Sequence, residues 1–170
     1  RDIRKNFGAY QALKGVSLSV KQGEFIALVG PSGCGKTTLL KQIAGFEEPD
    51  SGSLAIAGQP MLGVPAAERP TSMVFQKLAL FPHMTVADNI GFGLKIRGKK
   101  KADRQAKIEE LLSMIGMTEH RDKYPSQISG GQQQRVAIAR ALAYAPELLL
   151  FDESFSALDP QTRTGLRREI

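Results

Sequence analysis

The chain has 170 residues, 42% of them hydrophobic and 24% charged, with a formal net charge of +6 and a single cysteine. That length supports one domain with a buried core, and the composition is that of an ordinary soluble globular protein rather than a disordered or fibrous one. No apolar run approaches membrane-spanning length, and a lone cysteine excludes an internal disulfide and suits the cytosol.

The opening residues, Arg1-Asp2-Ile3-Arg4-Lys5-Asn6-Phe7, are not expected to be a secretory leader. Residues 1–29 read as strands. Gly15-Val16-Ser17-Leu18-Ser19-Val20 alternates apolar and polar, Lys21-Gln22-Gly23-Glu24 turns, and Phe25-Ile26-Ala27-Leu28-Val29 is an apolar run of strand length. Next comes Gly30-Pro31-Ser32-Gly33-Cys34-Gly35-Lys36-Thr37-Thr38, which fits G-x-x-x-x-G-K-[ST], and then Leu39-Leu40-Lys41-Gln42-Ile43-Ala44, a helical pattern closed by Gly45. Strand, glycine loop and helix form the arrangement in which backbone N–H groups turn toward a polyphosphate. Glycine removes the Cβ clashes and the helix start adds positive dipole character. Lys36 is expected to reach the β- and γ-phosphates, and the Thr37 hydroxyl to hold Mg²⁺. Cys34 reads as a small space-filling residue inside the loop. The chain is therefore expected to bind a nucleoside triphosphate.

Pro49-Asp50-Ser51-Gly52 reads as a turn, Ser53–Gly58 as a short strand, 59–70 as a loop with three prolines, and Ser72–Phe75 as a buried strand ending at Gln76. The pattern then turns helical. Lys95, Arg97, Lys99, Lys100, Lys101, Arg104 and Lys107 make a basic run, read as a solvated face. Ile108, Leu111, Leu112 and Ile115 form one apolar stripe of a helix ending at Gly116. Ile128-Ser129-Gly130-Gly131-Gln132-Gln133-Gln134-Arg135 opens another helix, expected to run to Ala143, with Ser129 as N-cap. Two glycines at its start leave bare N–H groups, a second anion-binding position that one triphosphate does not obviously need from one chain. After Pro146, Leu148-Leu149-Leu150-Phe151 is a fully apolar strand that ends in Asp152 and Glu153. Ligands of α/β sheets collect at the carboxyl ends of strands. Asp152 is placed to support Mg²⁺ through its hydration shell, and Glu153 to polarise the attacking water.

At this point the chain resembles the nucleotide-binding domain of ABC transporters, over nearly its whole length. Ile128-Ser129-Gly130-Gly131-Gln132 looks like the family signature Leu-Ser-Gly-Gly-Gln, Gln76 sits where the Q-loop glutamine would be, and Ser156-Ala157-Leu158-Asp159 looks like the D-loop. Phe7 sits where the family stacks an aromatic ring on adenine. The implied fold is an α/β P-loop NTPase core with a mostly parallel sheet, an N-terminal antiparallel β region and an α-helical insertion. The core would comprise 1–79 and 144–170, and the insertion 80–143. The resemblance implies ATP and Mg²⁺, with Lys36, Gln76 and Glu153 catalytic and Thr37, Gln76 and Asp152 at the metal. It further implies that Phe7, the loop from Gly30 to Thr38, Ser129, Gly130, Gly131, Gln132 and Asp159 bind nucleotide. The partners implied are a second ATPase subunit, most simply a homodimer, whose signature closes over ATP held by the other loop. Two transmembrane permease subunits and, indirectly, a solute-binding protein would complete the assembly at the cytoplasmic side of the membrane.

Val74-Phe75-Gln76, Ala79-Leu80-Phe81-Pro82-His83-Met84-Thr85-Val86, Asn89-Ile90 and Phe92-Gly93-Leu94 look like importer ATPases for polyamines, ferric iron, sulfate and sugars. Gln76 and the segment from Phe81 to Val86 would face a permease helix. Ser154, where most relatives have Pro, is similar to the spermidine/putrescine branch, so a polyamine is the favoured cargo. Phe155 for Leu is a mild departure. No switch histidine follows the acid pair; His83 and His120 do not match it and receive no role. With Leu166–Ile170 ending in a helical pattern without a cap, a C-terminally truncated fragment is expected. A second reading stays open, a soluble ABC-type ATPase acting on nucleic acid or ribosomes, but no nucleic-acid partner is expected.

Overall fold

The computed structural model describes residues 1–152, which fall in two compact units, Arg1–Thr71 and a second beginning at Ser72. The first unit opens with a hairpin. Strand β1 (Ile3–Phe7) pairs antiparallel with β2 (Tyr10–Val16), Phe7 lying opposite Tyr10. Gly8 in the turn has φ +59°, the left-handed value such a turn requires. Ile3 and Leu13 on the inner face pack with Leu39 of helix α1 (Lys36–Ala44). Helix α1 stops at Gly45, φ +84°, where the Gly45 N–H donates to the Gln42 carbonyl at 3.2 Å and the Phe46 N–H to the Lys41 carbonyl at 2.9 Å. This pair of bonds closes the helix end.

Arg69 lies behind that end, 1% exposed. Its Nη1 donates to the carbonyls of Gln42 at 2.6 Å and Ile43 at 3.2 Å, Nε to the Val64 carbonyl at 2.8 Å, and Nη2 to Glu48 Oε1 at 2.7 Å. A buried cation thus meets the negative end of the α1 dipole. A Cβ on Gly45 would lie 2.6 Å from Arg69 Nε, so the position needs glycine for space as well as for its backbone angle.

Three strand expectations change. β3 (Ala55–Ile56) and β4 (Gln59–Pro60) form a short hairpin in place of one strand over Ser53–Gly58, because Ala57 and Gly58, at φ +48° and +77°, turn the chain. β2 ends at Val16, so the alternation that runs on to Val20 is not used by a strand. Phe25–Val29 forms no strand: Val29 is 93% exposed, and of this run Leu28 packs against the hairpin core. Apolar character lets a segment be buried, but a strand also needs a neighbour for its N–H and C=O groups. No described strand pairs with this one.

The second unit holds most of β5 (Thr71–Val74), then α2 (Val86–Ile96), α3 (Lys101–Met114), α4 (Gly130–Leu142) and β6 (Leu148–Phe151). β5 and β6 are neighbours, and the Asp152 N–H donates to the Val74 carbonyl at 3.0 Å. That bond joins the carboxyl ends of the two strands, as in a parallel pair. The expected stripe of α3 is buried: Ile108, Leu111, Leu112 and the capping Ile115 pack with Val86, Ile90 and Leu94 of α2 and with Val136 and Ala139 of α4. Each large side chain in this cluster contributes about 1.5–3 kcal/mol. Ala137, Ile138 and Ala141 on another face of α4 pack on Val74 of β5. Helix α4 therefore serves two cores at once, which explains its run of small apolar residues.

Candidate nucleotide site

The glycine loop leads into α1 with Gly35 as N-cap, φ +98°. A Cβ there would lie 2.7 Å from the Ala12 carbonyl oxygen, so glycine lets the loop approach strand β2. The first turn of α1 carries no acidic residue, and its N–H groups have no acceptor within the helix. The positive end of the helix is left unneutralised, the electrostatics an anion requires. Lys36 Nζ donates to the Gly30 carbonyl at 2.7 Å and the Pro31 carbonyl at 2.8 Å, and approaches Cys34 Sγ at 3.6 Å. The ammonium is thus held over the loop by the loop's own carbonyls, where an incoming phosphate can take it over. Pro31, Ser32 and Gly33 are exposed, and Thr37 and Thr38 are half-buried in the first helical turn.

Phe7 closes β1, an exposed residue at 46%, with Lys5 Nζ 5.6 Å from its ring centroid. Tyr10, its hairpin partner, donates its hydroxyl to the Gly33 carbonyl at 2.9 Å and so ties the hairpin tip to the loop. Sequence reasoning passed over Tyr10, since its spacing from the loop carries no motif. The first unit therefore brings together Phe7, Tyr10 and the loop from Gly30 to Thr38.

In the second unit, Gln76 is exposed two residues beyond β5, and Asp152 is buried at the end of β6. The bond between Asp152 and Val74 puts these two sequence-predicted residues at one corner of the strand pair. Ser129 is the N-cap expected: its Oγ accepts the Gln132 N–H at 3.3 Å, and Gln132 Oε1 accepts the Ser129 N–H at 2.9 Å. No acidic residue lies in the first turn of α4, and nothing stands within 4 Å of where a Cβ on Gly130 or Gly131 would be. This is a second open helix start with positive character.

The two parts of the second unit do not converge. Arg140, near the other end of α4, contacts the segment just after Gln76, so the Ser129 end lies about 15 Å further along the helix axis. Glu153 and Asp159 lie outside the described residues. Among the described residues, no group of three or more His, Cys, Asp or Glu is arranged to hold a metal. The amide and the one carboxylate at the Gln76–Asp152 corner suit a Mg²⁺ that takes most of its oxygens from phosphate and water, rather than a closed protein cage.

A family model described as ABC transporter matches residues 13–156. The chain belongs to the ABC transporter family. At 51% identity over 170 residues, covering all of this chain and 46% of the relative, it is similar to the spermidine/putrescine import ATP-binding protein PotA of Thermotoga maritima. At 53% identity over 166 residues, covering 98% of this chain and 45% of the relative, it is similar to the sulfate/thiosulfate import ATP-binding protein CysA 2 of Chromobacterium violaceum. Its fold is that of an ATP-binding cassette solved as a dimer in a post-hydrolysis state bound to ADP and Pi, with TM-score 0.84, 32% identity, and coverage of 99% of this chain and 79% of that one. The chain spans about half the length of the curated relatives it matches. Among the described residues no helix is long and apolar enough to cross a membrane.

Proposed function

We propose that this ABC-family chain is the ATP-binding and ATP-hydrolysing part of an importer subunit, acting at the cytoplasmic face of a membrane. The observation that carries the reading is the pair of unneutralised glycine helix starts, one at Lys36 and one at Gly130, within a chain about half identical to import ATP-binding proteins. In this reading one nucleotide uses both, a second copy supplying one of them. The separation of Ser129 from the Gln76–Asp152 corner along α4 supports the same arrangement, as does the dimeric state of the similar cassette.

In this reading Phe7 stacks on the base, and the loop amides from Gly30 to Thr38 bind the phosphates. Lys36 exchanges the Gly30 and Pro31 carbonyls for β- and γ-phosphate oxygens. Thr37, Asp152 and Gln76 hold Mg²⁺, which supplies charge neutralisation at the phosphates. Glu153 takes up the proton of the attacking water while Gln76 orients it, and ADP and phosphate are the products. Ser129, Gly130, Gly131 and Gln132 of the partner copy cover the γ-phosphate, and Asp159 completes the set of residues proposed to bind the nucleotide. Excluding water there strengthens each charge interaction. ATP favours the closed pair by binding it better than the open one, and hydrolysis removes that bias. Permease subunits follow the closing and opening, and a solute-binding protein delivers the cargo, for which a polyamine is the favoured choice.

In the full-length protein, Glu153→Gln should keep MgATP binding while hydrolysis falls by about 100-fold or more, with a dimer accumulating on gel filtration. Normal turnover in that variant refutes the assignment of the base. Uptake of labelled spermidine, but not sulfate, by proteoliposomes holding the assembled transporter tests the cargo. Stimulation of hydrolysis by RNA or DNA, lost steeply with salt, would favour the soluble reading instead.

A further inference from the structure

We propose that Arg140 is a positioning residue that fastens the segment following Gln76 to the far end of the signature helix α4, so that the two move as one body. This rests on the importer reading above. Nη1 of Arg140 donates to the Ala79 carbonyl at 2.7 Å and Nη2 to the Leu78 carbonyl at 2.8 Å, and the guanidinium lies 5.6 Å from the Phe81 ring centroid. Leu78 and Ala79 have positive φ, +20° and +50°, and the Ala79 N–H donates to the Lys77 carbonyl. The chain here makes a tight bend that turns two successive carbonyls toward one side. A planar fork satisfies both at once, which a lysine point charge does not. Burial lowers the guanidinium pKa from its usual value, partly offset by Tyr144; the group stays charged, and its bonds in that partly dry setting are correspondingly strong.

The same segment is held from a second side. Asn89 of α2, 0% exposed, accepts the Phe81 N–H at 2.8 Å and donates to the carbonyls of Phe81, Met84 and Thr85 at 3.1, 3.2 and 2.9 Å. The Phe81 ring packs on Phe92 at 4.5 Å between centroids. Residues 78–85 are thereby clipped to α2 and α4, and α4 is a rod about 15 Å long from Ser129 to Arg140. A nucleotide drawn to the Ser129 end displaces the whole rod, and the Arg140 fork passes that displacement to the segment proposed to meet the permease. Arg140 touches neither nucleotide nor water in this scheme.

The test uses the full-length subunit, alone and assembled with its membrane subunits in proteoliposomes. Arg140→Ala should bind MgATP and hydrolyse it at the basal rate within about twofold, while the extra hydrolysis elicited by the membrane subunits and cargo falls about 10-fold, within the range of couplings carried by such contacts. Arg140→Lys keeps the charge and stem and should restore part of that stimulation. Amide exchange at residues 78–81 should quicken in Arg140→Ala and by less in Arg140→Lys, whose single ammonium keeps part of the hold on the two carbonyls. Full stimulation with unchanged exchange in Arg140→Ala overturns the proposal, as does equal loss of basal and stimulated rates at unchanged stability. If Arg140→Ala does not fold, Arg140→Lys with wild-type exchange but no stimulation overturns it too. Wild-type protein that its membrane subunits fail to stimulate would sink the importer reading instead, while the exchange result would still report on the tether.

Discussion

Replacing Arg69 by Met keeps most of the stem that fills the space behind α1 and removes the guanidinium. Three backbone carbonyls, those of Gln42, Ile43 and Val64, then lose the guanidinium, Gln42 keeping the Gly45 N–H, and Glu48 loses its cation. The two groups of partners are not equivalent. The Glu48 side chain is 50% exposed, whereas that of Arg69 is 0% exposed. A half-solvated carboxylate regains water when released, so the ion pair itself is worth no more than about 1 kcal/mol. Carbonyls left dry do not recover in that way: each costs about 1–3 kcal/mol, so losses at more than one of them reach about 3–5 kcal/mol together. Urea unfolding of the full-length protein should therefore show Arg69→Met about 3–5 kcal/mol less stable and Glu48→Gln less stable by under about 1 kcal/mol. MgATP should raise the midpoint of both variants, because binding to the native state stabilises it by mass action. The reasoning fails if the two substitutions cost the same, which would mean that the exposed pair and not the helix end is what Arg69 serves.

Two further outcomes follow from named contacts. The Asn6 backbone N–H, opposed by burial and then assisted by the Asn6 amide and Lys5, holds the Asp50 carboxyl below its ordinary pKa. A lowered folded-state value means that this stabilisation is complete above the ordinary aspartate range and lost as pH falls through the folded-state value. The stability gap between wild type and Asp50→Asn should accordingly stay constant down to the ordinary aspartate range and shrink as pH falls below it; a gap that does not change on acidification contradicts it. Cys34 is exposed, with Sγ 3.6 Å from Lys36 Nζ, so alkylation by iodoacetamide should slow when MgATP occupies the loop. Equal labelling rates with and without nucleotide would remove Cys34 from the binding site.

Where a residue's task is set by its own backbone, the sequence was a good guide. The loop glycines, Ser129 as a cap, Gly45 and Gly116 as helix ends, and the strand Leu148–Phe151 all sit as read. Helix α2 was hidden because Gly91 and Gly93 argue against a helix. Gly91 is there for closeness, since a Cβ would meet Ile108 Cδ1 at 2.6 Å; the audible signal was Thr85, whose Oγ1 accepts the Asp88 N–H at 3.1 Å. Arg69 and Arg140 were silent for another reason. Each serves backbone carbonyls supplied by other segments, Arg69 across 27 positions of the chain and Arg140 across 61 and 62, and neither periodicity nor motif spacing encodes a partner at that range. Phe25–Val29 erred in the opposite direction, its apolar run promising a pairing that depends on residues elsewhere.

Ser129 and Gln132 already satisfy one another at the mouth of α4. That grip takes two donors off the helix mouth and leaves the glycine amides between them as the place for an anion. On the function proposed above, a triphosphate presented by a second subunit would meet a mouth already narrowed to that pair. Selectivity at the junction would then come from what the cap has occupied beforehand.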